Sequence, residues 1–356
     1  MNRERLLWHR YIAQGLDRAD DGLAVLSLGV QDTPPGSGLA ALAARAKDPA
    51  ALAAAATVAW THRGAPHLHL PGDLPPLAAA LWPHSAADAA ARVGNVSIQL
   101  DAAGVDAREA VAETARVMRE EAAEPRTKGE LSAAVTARVP ESYSRWCEGC
   151  GATHVYEQLF RLAALPAGLA IVPGRTLRFT HFDGWAEIPT GPSGTGELVT
   201  RFVGLVGPVT TASIAAFLGT APPRAAELLP EGLTRIEADG HRTWSTPEVD
   251  ALLVKAERPE SVRLLPRSDP FMLGDRGLLM PDKAQRAELF KNLTRRGALL
   301  VGAEVAGYWQ MKVAGKRLDV TVTPFSAVDK ATRRRVESEA GLLAAARGLA
   351  DVRVTL

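Results

Sequence analysis

The stretch from Leu26 to Arg45, LSLGVQDTPPGSGLAALAAR, gathers its polar side chains at one point. Gln31, Asp32 and Thr33 follow an apolar run; Pro34, Pro35, Gly36 and Gly38 then break the chain before an Ala/Leu-rich segment. A Pro-Pro pair bars helix there, because each ring removes an N–H and restricts the residue before it. Three polar side chains are thereby held at the mouth of a helix, beside free backbone N–H groups. A Gln amide orients a water through its carbonyl, and a carboxylate serves as general base or counter-charge. Gln31, Asp32 and Thr33 are the candidate catalytic set. The competing reading is local: Asp32 or Thr33 caps the helix that follows.

A second group lies in AWTHRGAPHLHL, where Arg63, His67 and His69 could hold phosphates. Gly64 beside Arg63 allows close backbone approach to such a group. The competing reading packs the histidines inside a strand. A third group is SRWCEGCGATH, with Cys147 and Cys150 at zinc-ligand spacing and His154 four residues further on. With no second Cys-x-x-Cys and no fourth ligand nearby, the preferred reading is reduced thiols and no metal, with zinc at Cys147, Cys150 and His154 as the alternative. Trp185, Trp244 and Trp309 stand in strand-like segments, where packing is the default role, and Arg333 to Arg335 read as a solvated helix face.

The elements that must position these groups follow from pattern. Helices are expected over 3–19, ended by Asp20-Asp21-Gly22, and over 23–29, 37–46 and 48–59, the last opened by Asp48-Pro49. Residues 59–70 read as a wing-like or edge strand, and 73–81 as helix. Amphipathic helices follow at 106–122 and 127–138, where Thr127 and Glu130 have capping-box spacing. A helix over 159–165 precedes two strands, LAIVPG and RTLRFTHF. Helix, turn and helix recur in GELVTRFVGLVGPVTTASIAAFLG, then a helix at 222–229 and a hairpin turning at Asp239-Gly240. The 298–325 stretch gives three strands with Gly-containing turns, then a charged helix and a closing strand at 351–356.

The fold class expected is α+β: tandem winged-helix units followed by a small C-terminal antiparallel β-barrel. The segments are 1–125, carrying the Gln31 turn, 126–260 with second and third winged-helix units, and 261–356.

Bulk composition narrows the classes. With 41 basic and 40 acidic residues the net charge is +1, so any DNA contact needs a locally basic face rather than a basic protein. No apolar run approaches the roughly 20 residues that span a bilayer, and MNRERLLWHRYIAQGLDRADD is too polar for a signal peptide. Two cysteines imply no disulfide framework. The reading is a cytoplasmic monomer, nucleoid-associated when bound to DNA, with no membrane partner.

Together these stretches resemble the winged-helix DNA glycosylases of the AlkZ/YcaQ type. LGVQDTPPGSGLAALAAR is similar to the family's glutamine-motif segment, and WTHRGAPHLHLPGDL to its Arg-Gly-x-x-His stretch. GELVTRFVGLVGPVTTASIAAFLG resembles its middle helix-turn-helix, and LLPRSDPFMLGDR with the GYWQ strand its C-terminal barrel. No one motif is diagnostic; their order and spacing carry the likeness over nearly the whole chain. The resemblance implies tandem winged helices and a barrel forming a concave surface for damaged double-stranded DNA. It implies hydrolysis of the N-glycosidic bond of bulky or crosslinked alkylated purines, by a monofunctional DNA glycosylase of alkylation-damage repair. It also implies no metal and no nucleotide cofactor. The family's Gln-x-Gln or Gln-x-Asp falls on Gln31 and Thr33, with Asp32 between, so the third position departs from the pattern. The alternative is a non-catalytic winged-helix DNA-binding protein, a regulator or lesion sensor without the catalytic pair.

Overall fold

The computed structural model describes residues 2–19, 23–172, 174, 176–182, 184–185, 187–291 and 295–356. The first helix, α1 (Arg3–Ala13), is capped by Asn2, whose side chain accepts the Glu4 N–H at 2.9 Å. It ends earlier than the expected 3–19 because a Schellman turn forms at Gly15, with the Leu16 N–H returning to the Tyr11 carbonyl at 3.0 Å. The expected Asp20-Asp21-Gly22 stop lies outside the described residues. Short helix α2 (Leu23–Leu26), extended β1 (Val30–Gln31), α3 (Ser37–Ala43) and α4 (Pro49–Ala55) follow. Asp48 caps α4 by accepting the Ala51 N–H, with Pro49 opening the helix.

Next come β2 (Thr57–Trp60) and β3 (Pro66–His69), α5 (Leu74–Ala80), α6 (Ala86–Val93), α7 (Val96–Ala102) and α8 (Ala107–Glu121). Helices α6 and α7 fall in a span where pattern gave no expectation. Strand β4 (Arg126–Thr127) leads into α9 (Lys128–Thr136), whose Thr127/Glu130 capping box is formed in both directions. Then follow β5 (Ser144–Cys147), β6 (Ala152–Val155), α10 (Glu157–Ala163), β7 (Leu169–Val172) and β8 (Arg178–His181). Helices α11 (Thr195–Val206), α12 (Thr211–Leu218) and α13 (Pro222–Glu227) precede the hairpin β9 (Thr234–Ala238) and β10 (His241–Ser245). Asp239 and Gly240 turn that hairpin at φ 49° and 78°, the left-handed pair a two-residue turn requires.

The C-terminal part holds α14 (Pro247–Lys255), β11 (Val262–Leu265), α15 (Arg276–Leu279), α16 (Lys283–Leu289), β12 (Gly297–Val301), β13 (Glu304–Ala314), β14 (Arg317–Pro324), α17 (Lys330–Ala346) and β15 (Asp351–Thr355). Its five strands form a curled half-barrel sheet in the order β11-β12-β13-β14-β15. The sheet is not wholly antiparallel, as expected, because β15 joins β14 in parallel, with Val320 opposite Val354. The cause is α17, which crosses over between the two strands and reverses the direction of return. Strand alternation places Leu318, Val320 and Val322 inside, against Val336, Ala340 and Leu343 of α17.

The chain divides into two compact units that cut across the three sequential segments expected. One holds Met1–Ala56, Val199–Ile214 and Pro230–Leu356; the other holds Thr57–Leu198 and Ala215–Leu229. In the first, Leu6, Leu7 and Tyr11 of α1 pack into a core with Phe271, Leu279 and Leu300. In the second, an antiparallel sheet β3-β2-β7-β8-β4 carries Trp60, Leu169 and Phe179 into a core with α8 to α10, centred on Val117, Met118 and Phe160. Arg333 to Arg335 are exposed, as the helix pattern predicts. Among the described residues no helix is long and apolar enough to cross a membrane.

Candidate active site

Gln31 ends the short extended segment β1, and the chain then bends at Thr33, before the cis Thr33-Pro34 peptide. Gln31 and Thr33 both line a cleft of ≈ 680 Å³ in the first unit. The cleft is also lined by Ser37 and Ala40 of α3, by Pro266, Arg267 and Ser268 of the turn after β11, by Arg295, and by Trp309, Gln310 and Met311 of β13.

Asp32 does not line this cleft. Its Oδ1 accepts the Gly38 N–H at 2.9 Å at the start of α3. Burial raises its pKa above the ordinary carboxylate value; the N–H groups of Gly38, Gly36 and Ser37 and the cation of Arg347 pull back against that rise. The carboxylate expected in the catalytic set is thus engaged at the start of α3, and no carboxylate lines the cleft among the described residues. Arg347, past the end of α17, also donates from Nη2 to the Gly36 carbonyl at 2.8 Å. Its place beside the Pro-Pro-Gly turn carried no sequence signal, because 311 residues separate the two.

The cleft walls are braced from beneath. The Trp309 Nε1–H donates to the Leu265 carbonyl at 2.9 Å. Gly297 makes that approach possible, since a Cβ there would lie 2.4 Å from Trp309 Nε1. Trp309 is 3% exposed, so it packs, as expected, rather than offering an open stacking face. Arg267 donates to the carbonyls of Lys291 and Phe290 at 3.1 and 2.9 Å, which fixes one of the two cleft cations. Neither Arg267 nor Arg295 was singled out from the sequence; both sit in loops, where charge carries no periodic signal.

In the second unit, β2 and β3 pair with Ala59 opposite His67 and Thr57 opposite His69, joined by a tight turn at His62–Gly64. Arg63 is exposed at φ 56° and donates to the Ala216 carbonyl at 2.6 Å. Gly64, at φ 66°, has no room for a side chain, because a Cβ would lie 2.4 Å from the Cβ of Arg161. His67 and His69 are 5% and 0% exposed, and Thr61 Oγ1 lies 3.0 Å from His67 Nδ1 and 3.2 Å from His69 Nε2. His67 Nδ1 donates to the Ala65 carbonyl at 2.8 Å. As placed, neither histidine presents a ring nitrogen to a phosphate; of this group only Arg63 reaches solvent. Burial pushes His67 down to about 4, helped by the Arg63 charge and opposed by the Ala65 hydrogen bond.

Cys147, Cys150 and His154 come together at the tip of the β5–β6 hairpin, their sulfur and ring-nitrogen atoms all within 4.8 Å of one another.

The DNA glycosylase AlkZ of Streptomyces sahachiroi has a similar structure, with a TM-score of 0.74, 20% sequence identity and 100% of both chains covered; at that identity the likeness is one of fold. No curated protein matches the chain. The profile of the family described as DNA glycosylase AlkZ-like matches residues 26–346. That span runs from the segment entering the Gln31 turn to the last residue of α17, and so takes in every wall of the cleft: the chain belongs to the AlkZ-like DNA glycosylase family.

Proposed function

We propose that the protein is a monofunctional DNA glycosylase that hydrolyses the N-glycosidic bond of bulky or crosslinked alkylated purines in duplex DNA. The observation that carries this is the pairing of Gln31 and Thr33 on the wall of the open cleft, together with the cations Arg267 and Arg295, in a chain of this family. An alkylated purine already bears positive charge, so leaving-group protonation is not the obstacle. What remains is to place a water at the anomeric carbon and to tolerate an oxocarbenium-like sugar. In this reading the Gln31 amide carbonyl accepts from that water and Thr33 adds a second contact. Asp32 acts as a positioning residue, holding the turn from behind through Gly38. Arg267 and Arg295 bind the flanking phosphates. An open cleft suits a lesion too large for the deep extrusion used on small bases.

The same reading makes two segments winged helices. One is α8, β4, α9, α10, β7 and β8, with β4 paired to β8 and β7 beside it. The other contains α11, α12 and the β9–β10 hairpin, where Val209 bridges to Trp244. In the second unit Arg63 contacts phosphate, while His67 and His69 hold the turn that presents it.

A second reading rests on the absence of any carboxylate from the cleft lining among the described residues: a DNA-binding protein without catalysis. One experiment separates the two. Duplex DNA alkylated by a nitrogen mustard, or by a methylating agent, is incubated with the protein and abasic sites are counted. The glycosylase reading expects abasic sites, and a loss on the order of 10²–10⁴-fold for Gln31→Ala with DNA binding intact. Salt-dependent binding with no abasic sites on either substrate leaves the second reading standing.

A further inference from the structure

The β5–β6 hairpin is a poor candidate for stability by itself. Its strands are four residues each and form a two-stranded sheet joined, among the described residues, to no other strand. A hairpin of this kind is marginal in water alone, and only its base is anchored, by Val155 in the core and by the Val155 N–H donating to Thr136 Oγ1 at 2.8 Å. Here Arg145, Trp146, Glu148, Gly149 and Cys150 are all exposed, Trp146 at 61%. No hydrophobic side chain of the tip pays back the entropy of ordering it.

What the tip does contain is a ligand set. The register places Cys147 opposite Ala152 and Arg145 opposite His154, so Cys147 and His154 lie on the same face, diagonally related. Cys147-Glu148-Gly149-Cys150 closes a tight knuckle in which the Cys147 carbonyl accepts from the N–H groups of Cys150 and Gly151 at 3.2 and 2.9 Å. Gly151, at φ 61°, takes the left-handed position that lets the chain leave the knuckle into β6. The turn carries Cys150 back over the face where Cys147 and His154 already sit. The three donor atoms fall within 4.8 Å of one another. Around a tetrahedral zinc, with Zn–S about 2.3 Å and Zn–N about 2.0 Å, neighbouring ligand atoms stand roughly 3.5–3.8 Å apart, so side-chain torsions alone close the set. A separate observation points the same way: His154 Nε2 is buried and has no hydrogen-bond partner. A buried imidazole nitrogen left without a partner is costly unless something accepts its lone pair or its proton.

We infer that Cys147, Cys150 and His154 form a zinc site that clasps the surface hairpin between α9 and α10. Each cysteine gives up its thiol proton to solvent on binding, and both thiolates and the neutral imidazole donate to the ion. The hairpin tip is exposed, so the fourth position is taken by water. The metal stands where a hydrophobic cluster is missing, and it fixes the direction in which Arg145 and Trp146 project. The site is separate from the Gln31 cleft, and it does not depend on the glycosylase reading.

The test uses the full-length protein, purified under reductant without chelator or histidine tag. Elemental analysis is expected to give one zinc per chain. After stripping, Co²⁺ is expected to produce a thiolate charge-transfer band and the intense visible bands of a tetrahedral site. Cys147→Ser and Cys150→Ser are expected to abolish both signals, and His154→Ala to weaken binding at least tenfold. Circular dichroism and thermal melting of each variant establish that it is folded; zinc stripping and add-back on the unaltered chain provide the same comparison without mutation. The inference is overturned if the reduced wild-type chain holds no zinc and shows no cobalt thiolate band. It is equally overturned if zinc content survives both serine substitutions, or if the isolated protein carries a Cys147–Cys150 disulfide that persists under cytosolic reducing potential.

Discussion

Arg45 and Asp269 form a two-pronged ion pair with both side chains fully buried: Nη1 meets Oδ2 at 2.8 Å and Nη2 meets Oδ1 at 2.7 Å. The same guanidinium donates to the Gln14 and Ala41 carbonyls at 2.8 and 2.9 Å, and Asp269 accepts the Phe271 N–H at 2.9 Å. Arg45 lies just past α3, and Asp269 follows Ser268 in the turn after β11. The pair therefore ties together two walls of the cleft that Gln31 lines. Removing either partner leaves a buried charge without its counter-ion. Asp269→Leu is expected to lower stability by about 3–5 kcal/mol, and the paired exchange Arg45→Met with Asp269→Leu by clearly less than the sum of the two single changes. Urea denaturation of the four proteins measures this, and equal, additive losses would show that the two residues do not act as a pair.

Asp32 gives a pH signature. Its folded-state pKa is raised, chiefly by burial, so between the ordinary value of 3.8 and the raised one the native state holds more protons than the unfolded chain. Stability from this residue is accordingly present at low pH and lost as pH climbs through that window. Asp32→Asn removes the loss, so the gap between variant and wild type should widen over the same range and stay level above it. If the carboxylate serves α3 and not the reaction, the pH profile of abasic-site release keeps its shape in the variant. A variant profile that loses an acid limb present in wild type would return Asp32 to the chemistry.

The histidines of the β2–β3 turn predict the opposite trend. His67 falls from 6.5 to about 4 on folding, and His62 falls well below its ordinary value, in both cases chiefly by burial. Depressed folded values mean that the unfolded chain binds protons first as pH drops below 6.5. Stability present at neutral pH is then lost on acidification toward pH 4, by up to about 3 kcal/mol for a shift the size of that at His67. His67→Gln should flatten this part of the stability curve. Chemical denaturation at several pH values between these limits provides the check.

Arg63 is expected to contribute one phosphate contact. Arg63→Ala should weaken binding to duplex DNA about equally for all sequences and reduce the salt slope by roughly 1. An unchanged slope would show that its guanidinium serves only the Ala216 carbonyl. His67→Gln provides the contrast, because a buried ring should leave the slope alone.

How much of this the sequence carried depends on the range of the interaction. Thr127 with Glu130, Asp48 with Pro49 and Asp239 with Gly240 are local devices, and each formed where its spacing placed it. The strands 298–325 were legible from alternation and glycine turns. The placement of Asp32 was not, since capping and catalysis ask for the same residue at the same place, and only the way the turn folds back to bring the Gly38 N–H to its carboxylate decides. The burial of His67 and His69 was hidden for a related reason: polar side chains in a short strand look alike whether they face water or Thr61. Arg45, Asp269 and Arg347 left no trace because their partners lie 224 and 311 residues away. The parallel return of β15 was likewise invisible, being set by the length of the crossing helix rather than by any residue in the strand.

The first unit is stitched from three separated stretches of chain, and Arg10 finds its carbonyl partner on Phe271, 261 residues later. During synthesis Leu6, Leu7 and Tyr11 must emerge long before the surfaces that cover them. The intervening second unit has all but its last short piece, 215–229, in a single uninterrupted run, and can begin to collapse while the amino-terminal helix is still waiting. Maturation of the Gln31 cleft is thus a late event, completed only when the strand that bears Trp309 and Gln310 has left the ribosome.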